Sequence, residues 1–262
     1  MKRKLFWYKW WGGFIAHCLY YMAPKLLILR HINKKYGTEK AEQEAFKAVQ
    51  KWADRCVKTG KQRFTVNGLE KVPKGRPVLF VSNHESYGDV PMIIHALKGF
   101  NVGFVLKSTM LNIPFIGDYL KYMHCVPLDQ TNMRAASKSI SLAAEEIEKG
   151  YSLVIFPEGK RSFNNYPAEF KNGAFKIVAK TGVTIVPIYL HNVHYTYEGN
   201  GCMVTSADVT VNILDPIETG SLTRTEMQEL NVKVYNIISD FAIEFNKKHN
   251  ASVTNLSVSQ NH

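Results

Sequence analysis

The chain reads VLFVSNHESYGD over residues 78–89, and this stretch decides the fold. Residues 78–81 form a short apolar run that is typical of a buried strand. Polar residues follow at once, and a helical pattern of apolar residues begins after Asp89. His84 is therefore expected where a strand ends, and the carboxylate of Asp89 is expected in the first turn of the next helix.

The spacing of His84 and Asp89 allows their side chains to meet. On a single helix, residues five apart point about 140° away from each other. His84 precedes the helix, however, so the chain can fold back and bring the pair together. A carboxylate that orients an imidazole fixes its tautomer and makes it a general base. The alternative is a surface histidine beside an aspartate that only complements the helix dipole.

Further strand-like runs alternate with helical patterns along the body of the chain. Strands are predicted at residues 64–66, 78–81, 102–106, 125–128, 153–156, 184–190 and 209–214. Helices are predicted between or after them at residues 91–97, 116–123, 133–149, 173–180 and 224–248. This alternation predicts an α/β domain with a mixed, largely parallel sheet flanked by helices.

Positive charge is concentrated at the N-terminus. The chain has 262 residues and a formal net charge of +11, and residues 1–60 contain 13 Lys and Arg against 4 Asp and Glu. The rest of the chain is nearly neutral. A uniformly basic body would indicate nucleic acid, whereas a basic, aromatic N-terminus favours an anionic membrane surface.

The N-terminal residues allow three interpretations. An uncharged run of 15 residues occupies positions 10–24, which is shorter than the ~18–20 residues that a membrane span needs. We favour a helix lying in one leaflet, with aromatic residues at the interface: Trp7, Trp10, Trp11, Tyr20 and Tyr21. The alternatives are a span that requires Lys9 or Lys25 to snorkel, and a core helix or signal peptide.

A second amphipathic helix is predicted over residues 38–58, so the N-terminus is expected to form a helical hairpin. This pattern divides the chain into a membrane-association region (residues 1–60), an α/β domain (residues 61–249) and a polar, disordered tail (residues 250–262). The four cysteines are scattered without a C-x-x-C pair, which argues against zinc and fits a reducing compartment.

Two other strand ends carry charged residues. Lys107 follows the run at residues 102–106, and Glu158 and Arg161 follow the run at residues 153–156. Ligands of α/β folds collect at the carboxyl ends of strands, and lysine and arginine there suit a phosphate. The alternatives are a solvated lysine and a surface salt bridge.

Several familiar catalytic motifs are absent from the sequence. A zinc-protease motif starting at His84 would need a second histidine where Gly88 stands, and a P-loop ending at Lys160 would need glycine where Val154 stands. No G-x-S-x-G occurs, so there is no hydrolase nucleophile elbow.

Four blocks in order resemble the glycerolipid acyltransferase family. Asn83-His84 with Asp89 resembles its N-H-x-x-x-x-D block, and residues 107–117 resemble its second block, with lysine, proline and glycine in place. Residues 156–162 read FPEGKRS and resemble its F-P-E-G-T-R-S block. The last, apolar-proline block is matched by residues 186–188, VPI.

Within that family the resemblance is to 1-acylglycerol-3-phosphate acyltransferases. It implies an enzyme that moves a fatty acyl group from acyl-CoA or acyl-carrier protein to the 2-hydroxyl of 1-acylglycerol-3-phosphate, giving phosphatidic acid. His84 is the implied general base, oriented by Asp89. The residues implied to bind the acceptor's phosphate and glycerol are Lys107, Glu158, Gly159 and Arg161. The resemblance implies no metal and no cofactor besides the acyl donor. The basic, aromatic N-terminus indicates a peripheral or monotopic location at the cytoplasmic face of the cell membrane.

One position departs from the family pattern and keeps the acceptor open. Residues 126–129 read VPLD, which an arginine usually follows in the family, and here Gln130 follows. An acyltransferase acting on another lipid or polar acceptor therefore stays a candidate. A thioesterase, in which water replaces the hydroxyl, and a non-catalytic membrane-binding scaffold are alternatives from other classes.

Overall fold

The computed structural model describes residues 18–129 and 132–259, together with Tyr8, Gly12, Gly13 and Ala16. The strands are β1 (Arg63–Asn67), β2 (Leu79–Ser82), β3 (Val102–Lys107), β4 (Val126–Leu128), β5 (Ser152–Ile155), β6 (Ile185–His191) and β7 (Asp208–Ile213). They form one seven-stranded sheet in the order β1-β7-β6-β2-β5-β3-β4. β6 and β7 pair antiparallel, and the other neighbours pair in parallel. The prediction of a mixed, largely parallel sheet is confirmed.

Helices cover both faces of this sheet. They are α1 (Ala23–Tyr36), α2 (Thr38–Thr59), α3 (Asp89–Ala96), α4 (Ile116–Tyr122), α5 (Met133–Glu148), α6 (Lys176–Thr181), α7 (Arg224–Gln228) and α8 (Leu230–Ser259). Successive side chains of a strand point to opposite faces. Phe80 of β2 therefore joins the cluster under α1 to α4, while Leu79 and Val81 join the cluster under α5, α6 and α8. Burial on both faces explains why β2 reads as a continuous apolar run.

The two N-terminal helices pack on each other and on the sheet. Gly37, with a φ of 90°, lies between α1 and α2, and Lys25 of α1 pairs with Glu44 of α2 at 3.3 Å. Leu29 of α1 and Ala45 of α2 belong to the same hydrophobic cluster as Phe80. The boundary predicted at residue 60 therefore does not separate two cores.

Among the described residues, no helix combines the length and the apolar character that crossing a bilayer requires. Tyr20 leaves 83% of its surface exposed, while the predicted interfacial residues Trp7, Trp10 and Trp11 lie outside the described residues. Gln130 lies outside them as well.

The C-terminal helix is longer than the sequence pattern predicts. A disordered tail is expected from residue 250, whereas α8 continues to Ser259. The sequence from residue 250 to residue 259 contains neither proline nor glycine, so no residue with a strong helix-breaking preference interrupts the backbone there.

Candidate active site

His84 and Asp89 meet at the carboxyl end of β2. The β2–α3 turn (residues 83–88) leaves the strand after Ser82, and α3 begins at Asp89. The turn folds back so that His84 Nδ1 lies 2.6 Å from Asp89 Oδ2. Asp89 is fully buried, whereas the His84 side chain keeps 23% of its surface exposed. The pair therefore has a shielded carboxylate and an imidazole that a ligand can reach.

The Asp89 carboxylate is fixed by the turn itself. Its Oδ2 also accepts hydrogen bonds from the backbone N–H groups of Glu85 at 2.7 Å and Ser86 at 3.1 Å. Burial raises the pKa of Asp89, and the hydrogen bonds from His84 and the two backbone groups oppose that rise. When Asp89 is ionised its carboxylate can only accept, so Nδ1 of a neutral His84 then donates to it and Nε2 keeps its lone pair. This is the tautomer that a general base needs.

The β5 loop (residues 156–162) holds His84 from the neighbouring strand end. Phe156 stacks on the imidazole with ring centres 4.3 Å apart. The N–H of His84 donates to Glu158 Oε1 at 2.8 Å, and its carbonyl accepts from the N–H of Ser162 at 2.7 Å. Both backbone polar groups of His84 are thus satisfied by one loop, which restricts the position of the imidazole.

Glu158 is a buried carboxyl group beside the His84–Asp89 pair. It is 2% exposed, and burial raises its pKa to about 7, against the hydrogen bonds from the backbone of His84 and Ala168. Its Oε2 has no hydrogen-bond partner among the described residues. A carboxyl group in this state takes or gives a proton near neutral pH.

Gly159 has a φ of 70°, and a Cβ there would lie 2.8 Å from the Nζ of Lys171. Glycine is therefore favoured at this position by the backbone conformation, and a larger residue would also displace the flexible end of the Lys171 side chain. Lys171 thus places its ammonium group beside Gly159 of the β5 loop. It lies outside every motif in the sequence analysis, and a lone lysine at the start of a turn gives no signal by itself.

Arg161 is engaged by a residue that sequence analysis missed. Its Nη1 donates to Glu198 Oε1 at 2.9 Å, and its guanidinium carbon lies 3.7 Å from the centre of the Tyr87 ring. Glu198 begins a short 3₁₀ turn, Glu198–Asn200, and no apolar periodicity or motif marks that segment.

Two further buried polar side chains brace the turn. The side-chain amide of Asn83 donates to the carbonyl of Leu190 and accepts from its N–H, which ties the turn to β6. Glu85 is fully buried and accepts from the N–H of Val193 at 2.8 Å. Burial raises the pKa of Glu85 well above its ordinary value, and the charge of Asp89 adds to the rise.

Lys107 lies at the same edge of the sheet but apart from the pair. β5 lies between β2 and β3, so Lys107 stands roughly 10 Å along the sheet from the end of β2. Its side chain is exposed. Pro187, from the last motif block, pairs with Val81 inside the sheet, so that block supports the fold beside the site.

The arrangement suits proton transfer at an edge that also carries cations. The carboxyl ends of β2, β5 and β3 carry the imidazole of His84, the buried carboxyl group of Glu158 and the basic side chains of Lys107 and Arg161. Among the described residues, no group of three or more His, Cys, Asp or Glu side chains is placed to hold a metal.

Residues 63–191 match the family model Acyltransferase. This segment, about half of the chain, contains all three strand ends described above, and the match identifies it as an acyltransferase domain. The resemblance drawn from the four sequence blocks is confirmed by this match and by the relatives described next.

The chain is similar to 1-acyl-sn-glycerol-3-phosphate acyltransferases in particular. It is 37% identical to the chloroplastic LPAT1 of Arabidopsis thaliana over 129 residues, which is 49% of this chain and 36% of that protein. It is 28% identical to the enzyme of that name in Borreliella burgdorferi over 170 residues, 64% of this chain and 67% of that protein. The chain spans less than half the length of the first plant and algal relatives.

A crystal structure shows the same fold. The 1-acyl-sn-glycerophosphate acyltransferase PlsC of Thermotoga maritima matches with a TM-score of 0.80 and 24% sequence identity, over 93% of this chain and 98% of that one. The likeness in fold therefore extends well beyond residues 63–191.

Proposed function

We propose that this protein transfers a fatty acyl group from acyl-CoA or acyl-carrier protein to the 2-hydroxyl of 1-acylglycerol-3-phosphate, giving phosphatidic acid. The observation that carries the proposal is the His84–Asp89 pair, with Nδ1 and Oδ2 2.6 Å apart. It lies in a domain whose relatives bear the name of this activity. A scaffold that only binds membranes has no use for an imidazole oriented in this way.

The geometry supports a mechanism without an enzyme nucleophile. Nε2 of His84 removes the proton of the glycerol hydroxyl as its oxygen attacks the thioester carbonyl. Collapse of the tetrahedral intermediate breaks the carbon–sulfur bond, and the proton on His84 passes to the departing thiolate. Asp89 keeps the imidazole oriented and stabilises its protonated form. The acyl donor is a co-substrate, and the mechanism calls for no further cofactor.

The cations at this edge support an acceptor that carries a phosphate. Arg161 offers paired N–H donors and Lys107 a compact charge, and both kinds of group bind phosphate. Glu158 and the backbone at Gly159 contribute through the β5 loop, beside the acceptor's glycerol. Holding the phosphate a fixed distance from His84 delivers the hydroxyl to the base.

The N-terminal helices are the proposed membrane contact, at the cytoplasmic face of the cell membrane. Leu27 and Ile28 of α1 expose 65% and 50% of their surfaces, and the surrounding residues are basic. Binding through buried apolar surface is not screened by salt, whereas binding through charge is. Protein bound to vesicles that contain anionic lipid should therefore stay largely bound in 1 M salt (about 3 Å screening length).

A single assay separates the candidate functions. Purified protein is incubated with a labelled acyl donor, with and without 1-acylglycerol-3-phosphate. Formation of labelled phosphatidic acid supports the proposal, and release of free fatty acid at the same rate without acceptor indicates a thioesterase. If neither product forms, the protein is a non-catalytic scaffold. A panel of other lysolipids and polar amines tests whether Gln130 accompanies a different acceptor.

A further inference from the structure

Glu198 joins the proposed acceptor site to the β2–α3 turn. Its carboxylate has a side-chain exposure of 10%. Oε1 accepts from Arg161 Nη1 at 2.9 Å and from the N–H of Tyr87 at 2.9 Å. Oε2 accepts from the hydroxyl of Ser86, whose own N–H donates to Asp89. One carboxylate therefore connects Arg161 to the turn that carries the His84–Asp89 pair.

Two aromatic rings complete the setting of Arg161. Its guanidinium carbon lies 3.7 Å from the ring centre of Tyr87 and 5.0 Å from that of Phe163. Stacking on these rings and pairing with the Glu198 carboxylate both restrict the orientation of the planar guanidinium group. The contact with Glu198 uses one nitrogen of the guanidinium, which has further N–H groups for an anion.

We propose that Glu198 is a positioning residue that fixes the distance between Arg161 and His84, and thereby determines how the acceptor's anionic headgroup is held relative to the base. This inference rests on the proposed role of Arg161 in binding the acceptor. Glu198 acts through Arg161 and does not itself touch substrate. The low exposure of both side chains, 24% and 10%, separates this pair from an ordinary surface salt bridge, which contributes little.

The opposite role for Glu198 gives the opposite kinetics. A carboxylate that competed with the acceptor's phosphate for Arg161 would weaken binding, so its removal would lower the KM for the acceptor. A carboxylate that positions Arg161 strengthens binding, so its removal raises that KM. The sign of the change distinguishes the two roles.

The test compares Glu198→Ala, Glu198→Gln and Glu198→Asp in full-length protein. Glu198→Ala should raise the KM for 1-acylglycerol-3-phosphate about ten- to thirtyfold and leave the KM for the acyl donor within about twofold. Glu198→Gln keeps an oxygen that accepts from Arg161 and Tyr87, so it should recover most of the loss. Glu218→Ala is the matched control, because it removes the partner of Arg76 beside the amino end of β6, and it should leave both KM values unchanged.

A double-mutant cycle with Arg161→Ala tests whether Glu198 acts through Arg161. In the Arg161→Ala background, Glu198→Ala should change the acceptor KM less than about threefold. An undiminished effect in that background would overturn the inference, as would a lowered KM in Glu198→Ala alone.

If Arg161→Ala itself leaves the acceptor KM unchanged, the proposed acceptor role of Arg161 fails. If it raises that KM and Glu198→Ala does not, only the role of Glu198 fails. Should Glu198→Ala not fold, the same cycle is run with Glu198→Asp, whose shortened side chain withdraws the carboxylate from Arg161.

Discussion

The β2–α3 turn and the β3 loop (residues 108–115) follow parallel strands of one sheet, yet they are built in opposite ways. In the turn, Asn83, Glu85 and Ser86 are fully buried polar residues. In the β3 loop, Ile113 and Phe115 leave 38% and 45% of their surfaces exposed. The polar groups beside His84 are buried in the fold, whereas the β3 loop exposes apolar side chains to solvent. The buried polar groups and the exposed apolar residues therefore lie at different strand ends.

The largest effect is expected at the turn. His84→Ala removes the proposed base, so acyl transfer should fall by roughly two to four orders of magnitude. Initial rates with a labelled acyl donor measure this change, and circular dichroism checks that the variant folds. Transfer near the wild-type rate would refute the assignment of His84 as the base.

Asp89→Asn should lower kcat about a hundredfold, because the imidazole loses the carboxylate that fixes its tautomer and stabilises its charged form. The KM for the acceptor should change little, since Asp89 is buried away from the ligand. A loss confined to KM would instead make Asp89 part of the acceptor site.

Arg161→Lys keeps the charge but loses the planar fork. A charged hydrogen bond is worth roughly 1.5–3 kcal/mol, so the kcat/KM for the acceptor should fall about ten- to a hundredfold. Acceptor and acyl donor are varied separately in this variant and in Arg161→Ala. A defect that appears only in the donor terms would move Arg161 to the coenzyme or carrier-protein site.

Glu158 makes stability depend on pH in a definite direction. Burial raises its pKa to about 7 in the folded protein, above the ordinary value near 4.5, so the folded state binds this proton more tightly. Its contribution to stability is therefore lost as pH rises from about 4.5 to 7.

Glu158→Gln should flatten this pH dependence, by about 2 kcal/mol in the free energy of unfolding. Urea unfolding of wild type and variant at pH 5 and pH 8 gives the difference. An equal change in both proteins would show that other groups cause it, such as the buried Glu85.

The smallest effect is expected in the β3 loop. Ile113→Ser removes the apolar surface of a side chain that is 38% exposed, so binding to anionic vesicles should weaken about threefold to fivefold if this loop contacts the bilayer. Val232→Ser is the control, because Val232 is 52% exposed on α8. Equal losses of vesicle binding in the two variants would show that the β3 loop contributes no more than other exposed apolar residues.

The strands were predictable because each has a local pattern. All seven predicted runs coincide with observed strands within one residue at each end. A strand such as β2, buried on both faces, leaves a signal in a few consecutive apolar residues, whereas β1 alternates exposed and half-buried residues. The direction of β7 was not predictable in this way. Its antiparallel pairing with β6 depends on the path of residues 193–207, which have no periodicity.

The candidate site likewise contains residues that a local sequence pattern reveals and residues that only the folded chain brings together. His84 and Asp89 lie five residues apart, so a local pattern reveals them. Glu198 lies 37 residues from Arg161, and only the return of the chain after β6 brings the two together. Contacts that depend on long-range packing leave no local pattern to read.

The pairing of β1 with β7 has a consequence for synthesis. β1 finds its partner 145 residues later in the chain, which is roughly 7–30 s of translation. Val209 and Val211 of β7 share a hydrophobic cluster with Leu26 and Leu29 of α1, so this core stays incomplete until translation reaches β7. During that interval Leu26 and Leu29 lack their partners on β7, so the proposed membrane contact of α1 is open to the nascent chain before β7 joins the sheet.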